Sequence, residues 1–264
     1  MSNTHSIPSQ PRLRTPSEVY PLHKRILGRL WACWGLVVFL PTLLIAVVPI
    51  GISFWVPEPH GMRLFKASAK AWMTVFLYAI GCPLKIKGRQ NHDPNKNYVV
   101  VCNHSSLMDV PLLTPFFPGT NKTIAKKSMA KVPIFGWVYT RGSVLVERNS
   151  DASRRKSYEQ MKAVLAQNLC MAIYPEGTRN RTGQPLKPFY DGAFRLAIDT
   201  QKDIIPVVLY NTAKAMPPGI PFFLWPMALH MHIMPPVSVV GTTPEALKQT
   251  VFDGMWKQVQ QGAV

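Results

Sequence analysis

Residues 98–109 read YVVVCNHSSLMD, an apolar run followed directly by polar side chains. The first five residues, Tyr98–Cys102, are mostly β-branched, which predicts a short buried strand. Runs of the same kind alternate with helical or polar stretches along residues 85–264. This alternation predicts an α/β fold with a mixed, largely parallel sheet flanked by helices. A long uncharged apolar run earlier in the chain predicts an N-terminal membrane-associated helical segment before that domain.

The remaining elements of this domain are predicted from the same patterns. Apolar runs predict further strands at Ser143–Val146, Leu169–Tyr174, Ile204–Leu209 and Leu229–Met234. Periodic apolar positions predict helices at Arg154–Asn168, Gly192–Thr200 and Pro244–Gln260. The proline-rich stretch Pro217–Pro236 is predicted to be a loop and an edge strand near a membrane, or an internally packed loop.

The composition combines strong positive charge with high hydrophobicity. The 264 residues include 30 Lys and Arg against 13 Asp and Glu, a net charge of +17, yet 47% of them are hydrophobic. A disordered basic chain would lack this apolar content. We therefore expect a protein that lies on an anionic membrane or binds anionic substrates. Widely spaced cysteines argue against a disulfide scaffold or a structural zinc site; they are Cys33, Cys82, Cys102 and Cys170.

The N-terminal third predicts contact with a membrane. Residues 1–25 are expected to form a basic flexible tail, and residues 26–84 a membrane-embedded helical region. Within it, Leu30–Val56 has no charged side chain and is long enough to cross a bilayer as a helix. Because Pro41 and Pro49 would kink or break such a helix, a kinked span and a re-entrant or surface-lying hairpin both remain open.

A second apolar stretch, Ala71–Leu84, is short for a span and contains Trp72 and Tyr78, aromatic residues typical of a membrane interface. Basic residues flank these apolar stretches on both sides. This symmetry favours a segment that enters and leaves on the same, cytoplasmic side. The alternative is that both stretches are buried helices of a soluble core.

The polar residues after the first strand contain a candidate catalytic pair, His104 and Asp109. In α/β sheets, ligands bind at the carboxyl ends of strands, where these residues lie. Five positions apart, they would not share a helical face, so they meet only if His104 is in a loop and Asp109 in the first helical turn. Ser106 is then expected as the N-cap of that helix.

In that arrangement Asp109 orients one imidazole nitrogen and leaves the other free to act as a base on a substrate hydroxyl. The same residues have a simpler interpretation. Ser106 and Asp109 also have the spacing of a capping box, in which case His104 is an ordinary surface residue. The motif by itself leaves both interpretations open.

A second polar segment, Tyr174–Gly183, follows another predicted strand and contains two arginines, which suit bidentate phosphate binding. A third cluster contains Lys126 and Arg148, which could add positive charge around a phosphate. Other basic residues of that cluster are expected to be solvated surface charges; they are Lys127, Lys131 and Arg141.

Taken in order, the motifs N-H-x-x-x-x-D, K-x-x-x with a later P-x-x-G and G-x-x-x-x-x-R, P-E-G-T-R and I-I-P-V resemble the four blocks of the glycerolipid acyltransferases. The likeness covers roughly residues 85–240 and is strongest to the 1-acyl-sn-glycerol-3-phosphate acyltransferases. Residues 85–264 would then be an α/β acyltransferase domain. The resemblance implies that His104 is the general base and Asp109 its orienting partner. It also implies substrate-binding roles for Lys126, Arg148, Glu176, Gly177, Thr178 and Arg179.

The resemblance implies transfer of a fatty acyl group to the sn-2 hydroxyl of a lysophosphatidate, from acyl-CoA or an acyl-carrier protein. Its implied partners are the lysophospholipid acceptor, the acyl donor and membrane lipids, with no nucleic acid, metal or other cofactor. The third block departs from the F-K-K-G of many members, because Phe189–Gly192 lacks the lysines. Another lysophospholipid or glycerol-3-phosphate therefore remains an alternative acceptor, and a non-enzymatic basic membrane-binding protein is an alternative class.

Overall fold

The structure, a computed structural model, describes residues 20–147 and 151–262 and contains one seven-stranded sheet. The strand order is β1-β7-β6-β2-β5-β3-β4, and every neighbouring pair is parallel except β6 and β7. This confirms the mixed, largely parallel α/β fold. The strands are β1 Leu84–Lys87, β2 Val99–Cys102, β3 Asn121–Lys126, β4 Ser143–Val146, β5 Cys170–Ile173, β6 Ile204–Tyr210 and β7 Leu229–Ile233.

Helices cover both faces of the sheet and form an N-terminal pair. Short 3-10 turns at Arg89–Asn91 and Lys127–Lys131 complete the described elements. The helices are α1 Leu22–Ile52, α2 His60–Ala79, α3 Asp109–Phe116, α4 Phe135–Gly142, α5 Asp151–Ala166, α6 Gly192–Thr200, α7 Thr212–Ala215 and α8 Pro244–Gln261.

All five predicted strands are present, but β1 and β3 were missed. Strand β1 alternates between half-buried and exposed residues, and β3 between buried residues and more exposed ones. Lysines lie on the more exposed side of each, so neither forms a continuous apolar run. The missed β1 also explains a wrong prediction. The strand within Pro217–Pro236 is not at the sheet edge, because β7 lies between β1 and β6.

The long apolar run is one helix rather than a broken one. Helix α1 spans 31 residues and continues through Pro41 and Pro49, so of the two effects expected of these prolines, a kink or a break, the break does not occur. It is long and apolar enough to cross a membrane, although a buried core helix or a signal sequence can meet the same criteria. The predicted tail 1–25 lies mostly outside the described residues, and α1 already begins at Leu22.

Both ends of α1 contact the α/β domain. Near its start, the backbone N–H of Leu224 donates to the carbonyl of Gly28 at 3.0 Å. Just beyond its end, the Oγ of Ser53 accepts from Nε of Arg141 at 3.2 Å. Helix α1 therefore lies along the α/β domain and packs against α2, instead of projecting away from it.

Arg141 contradicts the expectation that it is a solvated surface charge. Its residue is only 9% exposed, and its Nη1 lies 2.6 Å from Oε1 of Glu58 in the turn between α1 and α2. The guanidinium also lies over the ring of Phe54. The error arises because Glu58 and Phe54 are distant in sequence, so the partners of Arg141 appear only after α1 and α2 pack on the domain.

Candidate active site

The candidate site lies where neighbouring parallel strands end. Strands β6, β2, β5, β3 and β4 are adjacent and parallel, so their carboxyl ends share one edge of the sheet. The loop after β2 carries His104, and the loop after β5 carries Glu176 and Arg179. Adjacent strands are about 4.8 Å apart, so these two loops are close neighbours.

His104 and Asp109 are in direct contact. Nδ1 of His104 lies 2.9 Å from Oδ2 of Asp109, with His104 in the loop and Asp109 as the first residue of α3. The same Oδ2 accepts from the backbone N–H groups of Ser105 and Ser106, each at 2.7 Å. Asp109 is fully buried, whereas the His104 side chain keeps 19% of its exposure. This geometry fixes the imidazole through Nδ1 and leaves Nε2 for a substrate.

Ser106 does not cap α3, which corrects the sequence prediction. Met108 occupies the N-cap position without a side-chain cap. The hydroxyl of Ser106 instead donates to the carbonyl of Met216 at 2.8 Å. The reason is that the carboxylate of Asp109 accepts hydrogen bonds from the backbone N–H groups of Ser105 and Ser106 and thereby holds the loop that precedes the helix.

The loop after β5 forms hydrogen bonds with both the N–H and the carbonyl group of His104. The N–H of His104 donates to Oε1 of Glu176 at 2.8 Å, and its carbonyl accepts from the N–H of Asn180 at 2.6 Å. The ring of Tyr174 packs against the imidazole with 4.5 Å between ring centroids. The backbone and ring of His104 are therefore both constrained by one neighbouring loop.

Glu176 is placed to hold the site rather than to meet a ligand. The residue is 1% exposed, and its second oxygen, Oε2, accepts from the N–H of Lys187 at 3.2 Å. Burial raises the pKa of Glu176 to about 7, while the hydrogen bonds from His104 and Lys187 oppose that rise. The resemblance implied acceptor binding for Glu176, but its contacts in the structure are with backbone groups.

Gly177 and Thr178 follow in the same loop. Gly177 has a φ of +72°, and a Cβ there would approach the ring of Tyr190 to 2.7 Å, so a side chain would not fit. Thr178 is exposed, and its hydroxyl accepts from Nζ of Lys187 at 2.7 Å. Lys187, which no sequence pattern indicated, therefore supports this loop through its hydrogen bond to Thr178.

A large apolar cavity opens beside the His104 loop. Its volume is about 760 Å³, and it is enclosed by α1, α2, α4 and the segment 216–224. Leu107 and Met108, in the same loop as His104, form part of its wall, as do Arg179 and Arg181. Aromatic side chains make up much of the rest, including Phe39, Trp72, Phe76, Phe135 and Phe222.

Of the two basic residues predicted from the third cluster, the structure describes only Lys126. Lys126 is exposed at the end of β3, two strands from β2 in the sheet, and does not line the cavity. Arg148 lies outside the described residues. Its neighbour Glu147 forms an exposed ion pair with Lys127 at 3.3 Å.

A second support for the His104 loop comes from the end of β6 and the residues that follow it, and it was missed from sequence. The amide of Asn103 pairs with both backbone groups of Leu209, at 3.0 and 2.7 Å. The hydroxyls of Ser105 and Thr212 lie 3.1 Å apart. These polar residues directly follow the apolar strands β2 and β6, which is the available sequence signal for a shared loop cluster.

Across residues 20–147 and 151–262, no group of three or more His, Cys, Asp or Glu side chains could hold a metal ion. The four cysteines are free, and three of them are buried.

Comparisons with known proteins identify the class of this domain. Residues 83–210 match the family model named Acyltransferase. A 1-acyl-sn-glycerol-3-phosphate acyltransferase from Cocos nucifera is 34% identical over 143 residues, covering 53% of this chain and 46% of that protein. The alpha form from Mus musculus is 32% identical over 171 residues, covering 64% and 59%. The chain thus matches about half the length of these curated relatives.

The fold has a solved counterpart. The crystal structure of the 1-acyl-sn-glycerophosphate (LPA) acyltransferase PlsC from Thermotoga maritima matches with a TM-score of 0.78, over 90% of this chain and 97% of that one. At 22% identity this likeness shows the fold alone. Residues 83–210 thus match the acyltransferase family model, and the fold is that of the solved acyltransferase. The curated relatives that match it carry the name 1-acyl-sn-glycerol-3-phosphate acyltransferase.

Proposed function

We propose that this chain transfers a fatty acyl group from a thioester donor, acyl-CoA or acyl-carrier protein, to the sn-2 hydroxyl of 1-acyl-sn-glycerol-3-phosphate. The product is phosphatidic acid, formed in phospholipid biosynthesis. One observation carries the proposal: the histidine–carboxylate pair His104–Asp109 lies beside an apolar cavity whose wall includes two arginines. A base, a phosphate-binding group and an acyl-sized cavity are the three features that this acceptor requires.

The proposed chemistry uses His104 as both base and acid. Nε2 of His104 removes the proton of the acceptor hydroxyl as the hydroxyl oxygen attacks the thioester carbonyl. The new C–O ester bond forms, the C–S bond breaks, and the leaving thiolate takes the proton back from His104. Asp109 stabilises the transient imidazolium through Nδ1 and keeps the ring in one orientation. The step needs no redox or metal cofactor.

The acceptor is a lipid, and the N-terminal helices offer it a surface. Large apolar side chains remain exposed along α1, among them Leu30, Val37, Ile45 and Trp55. Because both ends of α1 contact the α/β domain, a crossing of the bilayer would place one domain on both sides of it. We infer that α1 and α2 lie in one leaflet and that the site faces the cytoplasm, where acyl thioesters occur.

The test is an assay of the purified full-length chain in mixed micelles with labelled donor. The acceptors are lysophosphatidate, lysophosphatidylcholine and glycerol-3-phosphate, each offered with acyl-CoA and with acyl-carrier protein. We expect phosphatidic acid as the main product, with the label released by phospholipase A2 because that enzyme cleaves the sn-2 ester. Faster acylation of either other acceptor would assign a different acyltransferase activity. Absence of any acyl transfer would contradict the proposal.

A further inference from the structure

Two arginines of the loop after β5 share the wall of the apolar cavity, and the resemblance accounts for only one of them. Arg179 belongs to the P-E-G-T-R motif, whereas Arg181 lies two residues beyond it, and the resemblance gives it no role. Both side chains contribute to the cavity beside Leu107, in the loop that carries His104. The position of Arg181 therefore calls for a chemical explanation.

The residue between the two arginines is fixed to the candidate base. The N–H of Asn180 donates to the carbonyl of His104 at 2.6 Å. Its side-chain oxygen accepts from the N–H and the hydroxyl of Thr182, at 2.9 and 2.7 Å. Its amide nitrogen donates to the carbonyl of Gln184 at 2.9 Å. Arg179 and Arg181 thus extend from a short segment whose position relative to His104 is set by hydrogen bonds.

These guanidinium groups carry uncompensated charge. Among the described residues, no carboxylate lies within ion-pair distance of Arg179 or Arg181, whereas Arg141 pairs with Glu58 and Arg195 lies 3.8 Å from Asp191. The nearby ammonium group of Lys187 is hydrogen-bonded to the hydroxyl of Thr178 and adds a further positive charge. Two guanidinium groups without an ion-pair partner at the wall of a cavity favour an anionic ligand there.

We propose that Arg181 acts with Arg179 to select an acceptor whose phosphate is a monoester. The inference rests on the proposed function and concerns the choice among lysophospholipids. A phosphate monoester carries about −1.5 to −2 charge at neutral pH and three terminal oxygens. A phosphodiester carries one charge and two such oxygens. Each guanidinium forms two parallel hydrogen bonds to phosphate oxygens, so two of them match the monoester better than the diester.

The test compares a phosphate monoester with a phosphodiester that carries an uncharged glycerol headgroup. Lysophosphatidate and lysophosphatidylglycerol of the same acyl chain are assayed in mixed micelles with the full-length chain and Arg181→Gln. We expect the variant to raise the KM for lysophosphatidate about tenfold or more, with kcat and the KM for lysophosphatidylglycerol changed little. Arg181→Lys should recover part of the preference, because it keeps the charge and loses the fork. Arg195→Gln, an exposed arginine on α6, is the matched control.

Each outcome bears on the inference separately from the proposed function. An unchanged ratio of the two kcat/KM values in Arg181→Gln would overturn the selective role of Arg181. An equal loss with both acceptors, or a loss of kcat alone, would reduce Arg181 to a structural residue and also overturn it. If the unaltered chain acylates neither acceptor, the proposed function fails, and the inference fails with it.

Discussion

The His104 loop and the helical pair α1–α2 are held in place by different forces. Asp109, Glu176 and Asn180 each form a specific hydrogen bond with His104, while the buried Oδ1 of Asp109 and the hydroxyl of Tyr174 have no partner among the described residues. Helix α1 packs largely through apolar side chains and leaves many others exposed, and its hydrogen bonds to the rest of the fold include those of Trp31 Nε1 to the carbonyl of Ile80 and of the Leu224 N–H to the carbonyl of Gly28. The comparison teaches that the residues proposed for catalysis and those proposed for membrane contact lie in different regions. Substitutions near His104 should therefore change acyl-transfer kinetics, and substitutions in the helical pair should change stability or membrane binding.

The largest effect is expected at Asp109. Asp109→Asn keeps the size of the side chain but replaces the charge that stabilises the imidazolium, so kcat should fall about 10²–10⁴-fold. The measurement is steady-state acyl transfer, with Asp253→Asn on α8 as the matched control. If Asp109 only orders the start of α3, the same change should cost about 1 kcal/mol or less of stability and leave kcat intact.

The next largest effect is expected at Arg179, which is proposed to bind the phosphate of the acceptor. Arg179→Lys retains the positive charge but loses the planar fork, so the KM for the lysophospholipid should rise about tenfold. The KM for the acyl donor should change little, and Arg195→Lys should change neither value. Equal increases in both KM values would mean that Arg179 supports the loop instead of binding the acceptor.

A change at the interface between the two regions should affect stability and spare the chemistry. Arg141→Ala leaves Glu58 without its partner and removes the contact with Ser53, so the free energy of unfolding should fall by about 1–3 kcal/mol. We expect kcat to change by no more than about twofold, because Arg141 takes no part in the proposed proton transfer. Loss of a general acid or base would lower kcat far more. Denaturant titration in detergent measures the stability, and Lys131→Ala is the exposed control. A large loss of kcat at unchanged stability would link the helical pair directly to the site.

The smallest effect is a pH dependence at Glu176. Its pKa of about 7 in the folded chain exceeds the value of about 4.3 for an unfolded glutamate, so the folded state binds more protons between these pH values. Stability contributed by Glu176 is therefore greatest below about pH 4.3 and declines as pH rises toward 7. Glu176→Gln should remove that part of the slope and lower kcat a fewfold, because one backbone donor loses its acceptor. Identical pH slopes for both proteins would contradict this account.

The contact that could be predicted from the sequence joins residues that are close together in it. His104 and Asp109 are five positions apart, so the loop-then-helix arrangement follows from helical geometry and the preceding strand. The contacts of Glu176 with His104, and of Arg141 with Glu58, join residues more than 70 positions apart, and no local pattern specifies them. Strands β1 and β3 were missed because their exposed lysines interrupt the apolar pattern.

The central claim is that His104 takes the proton from the acceptor hydroxyl. It is tested most directly by the acyl-transfer rate of His104→Ala in the full-length chain, with membrane binding and unfolding measured on the same preparation. His60→Ala, a histidine at the start of α2, serves as the control. We predict a loss of turnover of at least about 10²-fold with stability and membrane binding retained. Turnover within a fewfold of the unaltered chain would contradict the claim.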